Sequence, residues 1–88
     1  MGLLSVARSM GVTTSVLEDL IKGKVRVGIS SKLGTMVSAI QDFIDGKAKV
    51  GFARVLGTTT SSAQELRNSI GKEGAIGLVI GLCIKAKS

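Results

Sequence analysis

Three Gly-Lys pairs, at 23–24, 46–47 and 71–72, are the residues of this chain that first invite a chemical reading. A glycine loop ending in lysine cradles phosphate in the Walker arrangement, which needs another Gly five positions earlier and Ser or Thr directly after the lysine. The earlier positions hold Glu18, Gln41 and Leu66, and the lysines are followed by Val25, Ala48 and Glu73. None of the three fits. They read instead as helix ends, where Gly takes the left-handed cap and Lys answers the negative end of the helix dipole.

The remaining reactive side chains are sparse. No His is present to serve as a general base for a Ser or Cys nucleophile. Asp19, Asp42 and Glu65 recur at even spacing, which suits carboxylates complementing helix N-termini better than an acid–base pair. Cys83 is the only cysteine and lies in the apolar run Ile80-Gly81-Leu82-Cys83-Ile84, so it reads as a small buried hydrophobe. One Cys and no His leave almost nothing to build a zinc site from. The expectation is a non-enzymatic protein with no catalytic residue, no metal, no cofactor and no small-molecule substrate.

Charge points to a partner class. Twelve Lys and Arg against six Asp and Glu give a net charge of +6. Such an excess favours nucleic acid, an anionic membrane surface or an acidic protein without choosing among them. Lys24, Arg26, Lys47 and Lys49 form two evenly spaced basic clusters and are the candidate anion contacts. With two Phe and no Trp or Tyr, stacking on bases is nearly ruled out, so any nucleic acid would be held by its phosphates, independent of sequence.

The elements that must carry these residues announce themselves by repetition. Written in blocks of 23, the columns align: Met10-Gly11, Leu33-Gly34 and Leu56-Gly57; Thr14-Ser15, Val37-Ser38 and Thr60-Ser61; Leu20, Phe43 and Leu66. Val6-Ala7-Arg8 answers Phe52-Ala53-Arg54. A period in this range means one supersecondary unit used repeatedly. The chain therefore reads as one small repeat domain, residues 1–88, with units of approximately 1–14, 15–37, 38–60 and 61–88. Ser15 with Glu18, Ser38 with Gln41 and Ser61 with Gln64 match the capping box and predict helix starts. Leu17, Leu20, Ile21, Ile40, Phe43 and Ile44 follow on one helical face as core. Gly23 and Gly46 then stand where left-handed caps are wanted.

The second half of each unit is ambiguous. Val25, Ile29 and Leu33 fit a helix, yet Val25, Val27 and Ile29 also alternate, as do Ile76, Leu78, Ile80, Leu82 and Ile84. The fold class is read as all-α, short helices in about four 23-residue repeats. The alternative is an α/β repeat of helix then strand, with a C-terminal strand over 75–86.

A chain of 88 residues with so few aromatics builds a thin core, and sharing it with neighbours is one remedy. The expected function is accordingly a structural protein that self-assembles into a homo-oligomer, filament or coat. Ile76, Leu78, Ile80, Leu82 and Ile84 are its contact segment. A basic amphipathic protein at a membrane surface and a sequence-nonspecific nucleic-acid binder are the alternatives. No signal peptide and no apolar stretch long enough to cross a bilayer is evident, and the compartment is not indicated.

Overall fold

The computed structural model describes residues 2–88. It is all-helical, with no strand among the described residues: α1 Leu3–Met10, α2 Thr14–Ile21, α3 Val27–Leu33, α4 Val37–Asp45, α5 Val50–Leu56 and α6 Thr60–Lys87. Residues 11–13, 34–36 and 57–59 form three-residue turns joining α1 to α2, α3 to α4 and α5 to α6. Each turn opens on a glycine with positive φ, 77° at Gly11, 68° at Gly34 and 71° at Gly57. At Gly34 the left-handed backbone turns the next N–H, that of Thr35, back to the Ser30 carbonyl at 3.3 Å, closing α3. A side chain there would clash with its own backbone, which is why the column is invariant in kind.

The turns end on extended residues, and these are the true helix caps. Thr13 and Thr59 accept from Val16 N–H and Ser62 N–H at 3.3 and 3.1 Å through their hydroxyls, while Met36 caps α4 without a side-chain bond. The capping boxes expected at Ser15, Ser38 and Ser61 are thus displaced. The left-handed glycine leaves the second residue after it extended (ψ 160° at Thr13, 148° at Met36, 159° at Thr59), so each serine falls inside the first helical turn.

The two glutamines of those expected boxes reach backward along the chain instead. Gln41 Nε2 donates to the Gly23 carbonyl at 2.8 Å and its Oε1 accepts from Val25 N–H at 2.9 Å. Gln64 makes the same pair of bonds, to the Gly46 carbonyl at 2.9 Å and from Ala48 N–H at 2.9 Å. One amide therefore satisfies a donor and an acceptor of the preceding connection, each of which would cost about 1–3 kcal/mol if left unpaired and buried. Gly23 and Gly46 both take positive φ, as expected for helix ends.

The ambiguous second halves are helices, α3 and α5. The alternative strand over 75–86 is also overturned, because this stretch lies in α6. Ala75, Val79 and Cys83 are buried there at helical spacing, with Ile76, Leu78, Ile80 and Leu82 packed partly buried on either side. At 100° per residue those seven residues cover about 200° of the helix. The alternation arose from the two flanks of one wide stripe.

Gly71 interrupts α6 at φ 72° and ψ −177°, a conformation essentially confined to glycine, and divides it into segments 60–70 and 72–87. α6 packs against α1, α3, α4 and α5. Before the break, Arg67 donates from Nε and Nη2 to the Phe43 and Ile44 carbonyls at the end of α4, at 2.7 and 2.8 Å. After it, Lys87 Nζ donates to the Arg8 carbonyl at the end of α1, so the first and last helices meet.

The core is one cluster drawn from all six helices, with Phe43 of α4 stacked on Phe52 of α5 at 4.2 Å between ring centroids. Leu17, Leu20, Ile40, Phe43 and Ile44 are fully buried as expected, but Ile21 is 49% exposed. Its counterpart Ile44 is covered because α6 folds over the end of α4, whereas the main packing partner of α2 is α1.

Candidate functional site

Helix direction sorts the charges of this chain by element. α1, α3 and α5 contain no Asp or Glu, and each carries a cation in its last turn: Arg8, Lys32 and Arg54. The last turn of α6 adds Lys85 and Lys87. These five side chains therefore come from helix C-terminal ends, and three of those ends run directly into the glycine turns.

The turn edge gathers them. Lys32 reaches across to the first turn, where a Cβ built on Gly11 would stand 2.9 Å from its Nζ and 3.3 Å from Lys87 Cδ. Arg54 lines a groove beside Gly34, Thr35 and Met36 of the second turn, together with Ser30 and Ser31. Lys85 shares a second groove with Lys32, Val55 and Leu82. Neither Lys32 nor Arg54 forms a salt bridge among the described residues. Cations held this close without carboxylates between them create a local positive potential that attracts anions. The N-termini of α2, α4 and α6 open from the same turns and add their partial positive charge.

The cations singled out by the sequence lie elsewhere. Lys24, Arg26, Lys47 and Lys49 are all exposed, but they sit on the α2–α3 and α4–α5 connections, one helix length (about 12 Å) from the turns. Arg26 pairs with Asp19 at 2.6 Å and Lys49 with Asp42 at 3.7 Å. The carboxylates thus meet cations that start the following helix, in half-exposed pairs worth at most about 1 kcal/mol each. The five cations of the turn edge were only partly legible: Arg8 and Arg54 share a column, but Lys32 stands one position off it. Lys85 and Lys87 arrive by the fold-back after Gly71, which has no local signal.

The proposed contact segment is turned largely toward the protein's own core. Ile76, Leu78, Ile80 and Leu82 are partly buried against it, and Ile84 is 37% exposed. Among the described residues the most exposed large apolar side chains are Val27, Met36 and Val50, at 69%, 70% and 60%. A Cβ added at Gly77 or Gly81 would stand in open space, so neither glycine marks a close approach within the chain. Cys83 is fully buried; its desolvation pushes the thiol above its ordinary range, with the Lys32 charge pulling weakly the other way.

Among the described residues no three of His, Cys, Asp and Glu come together to hold a metal ion. No helix there is long and apolar enough to cross a membrane. No family model, no curated protein and no solved structure matches the chain.

Proposed function

We propose that this chain binds nucleic acid through its phosphates, along the turn edge of a 23-residue unit used about four times. The observation that carries the reading is the row Arg8, Lys32, Arg54, Lys85 and Lys87, which is drawn from helix ends without a carboxylate in their last turns. Support for the unit comes from matched positions: the starts of α2, α4 and α6, the paired bonds of Gln41 and Gln64, and Gly28, Gly51 and Gly74 in one column. On this reading residues 72–87 supply the second half of the fourth unit, extended past its usual length. A helix, a three-residue turn opening on glycine and a second helix is also the connection that helix-turn-helix proteins use on DNA.

Base readout is not part of the proposal. The second helices carry Glu18, Asp19, Asp42, Asp45 and Glu65, which oppose deep entry into a groove lined by phosphates. Contact stays with the turns and the cations beside them. Five phosphate contacts imply that binding to a ~24-base-pair duplex weakens about five-hundredfold between ~50 and ~200 mM salt. Fluorescence anisotropy checks this, and an affinity indifferent to salt removes the proposal. At ~0.15 M salt Lys24→Gln with Lys47→Gln should change affinity by no more than roughly threefold, because those lysines lie about 12 Å from the turns, beyond the Debye length of about 8 Å.

Self-assembly is the second reading, favoured by Val27, Met36 and Val50, which stand exposed on the α3 and α5 starts and the second turn. Light scattering over a wide concentration range tests it. A constant monomer mass removes it.

A further inference from the structure

We infer that the turn edge takes a double helix in preference to a single strand, an inference that rests on the phosphate-binding reading above. Proteins that hold single strands offer aromatic faces on which successive bases stack. This chain has two aromatic side chains, Phe43 and Phe52, and both are fully buried and stacked on each other. Its exposed apolar groups, such as Val27, Met36 and Val50, are aliphatic. Among the described residues no aromatic face is exposed for an unpaired base to stack on.

The cations, in turn, suit a stiff and dense row of phosphates. Four of the five project from the last turn of a helix with a residue locked in the core close by: Ala7 and Met10 near Arg8, Ile29 near Lys32, Ala53 beside Arg54, Cys83 near Lys85; Lys87 is held by its bond to the Arg8 carbonyl. Such anchors hold the starting points of the side chains fixed relative to one another. A duplex presents its phosphates at fixed positions and at high charge density, whereas a flexible strand must be ordered on binding. Counterion release expresses the difference as salt slopes of about −0.9 per contact on duplex DNA and about −0.7 on single strands. For the five cations this gives about −4.5 and about −3.5 in log K against log salt. If the two ligands bind alike near ~1 M salt, the duplex is about tenfold favoured at ~0.1 M.

The experiment is a salt titration of the full chain against a ~24-base-pair duplex and the single strand of the same sequence, by fluorescence anisotropy. A second pair of duplexes, one A·T-rich and one G·C-rich, is run beside them. The expected result is about a tenfold duplex preference at ~0.1 M salt, a steeper duplex slope, and no preference between the two compositions. Equal or tighter single-strand binding, with both ligands weakened by Lys32→Gln and Arg54→Gln, overturns the duplex preference and leaves the phosphate reading standing. Absence of binding to either ligand at ~50 mM salt overturns both. So does competition by vesicles of phosphatidylglycerol and phosphatidylcholine that matches the duplex phosphate for phosphate.

Discussion

Phe52→Ala is expected to remove about 3–5 kcal/mol of stability, the range for deleting a buried aromatic ring from a packed core. A chain of this length has only about 4–13 kcal/mol to lose, so the variant should sit near or past its unfolding threshold. The size of the effect follows from what surrounds the ring. Phe52 is fully buried, stacks on Phe43, and is one of only two aromatic side chains in a core otherwise made of aliphatic residues, Met and Cys. It also joins α5 to α4, so no flexible loop is available to collapse into the hole. A urea titration followed by circular dichroism checks this, with Val50→Ala as the comparison. Val50 is 60% exposed, and its truncation should stay within about 0.5 kcal/mol. Equal losses in the two variants would mean that the Phe52 ring is not part of the packed centre.

Reversing two cations of the turn edge, Lys32→Glu with Arg54→Glu, should weaken duplex binding by more than about a hundredfold at ~0.1 M salt. A salt slope of about −0.9 per contact makes each contact worth roughly eightfold there relative to ~1 M, so neutralising two already costs roughly sixtyfold. Reversal adds repulsion from the phosphates. Both side chains are exposed and neither is salt-bridged among the described residues, so the stability loss should be confined to the roughly 1–2 kcal/mol that two anions beside helix C-termini cost, while the binding isotherm moves a great deal. An isotherm unchanged by the double reversal would take the turn edge out of the interface.

Local pattern was enough for the second helix of each pair, and nonlocal packing decided most of what it missed. Leu17, Leu20, Ile40, Phe43 and Ile44 follow helical periodicity and are core. Ile21 follows it equally well and is exposed, because cover over that helix end depends on where α6 lands. The capping boxes failed for a local reason, since a left-handed glycine sets the phase of the residues after it and moves the cap two places upstream of the serine. Gln41 and Gln64 read by spacing as partners of Ser38 and Ser61 in capping boxes, but their amides bond 16 to 18 residues back in the chain. The apolar alternation at 76–84 could not separate strand from helix, since a stripe wide enough to touch several helices at once reads nearly the same as a pleat. The basic edge was half written in the column shared by Arg8 and Arg54, and completed only when residues after Gly71 turned back.

That turn at Gly71 also governs how the chain comes apart. Open solenoids fray from their ends, because a terminal repeat touches a single neighbour. Here α6 lies against α1, α3, α4 and α5 and ties Lys87 to the end of α1, so the helical circuit has no loose terminal module to melt first. Loss of α1, α3, α4 or α5 strips a partner from the closing strap, and unfolding becomes a single cooperative event despite the modular look of the sequence.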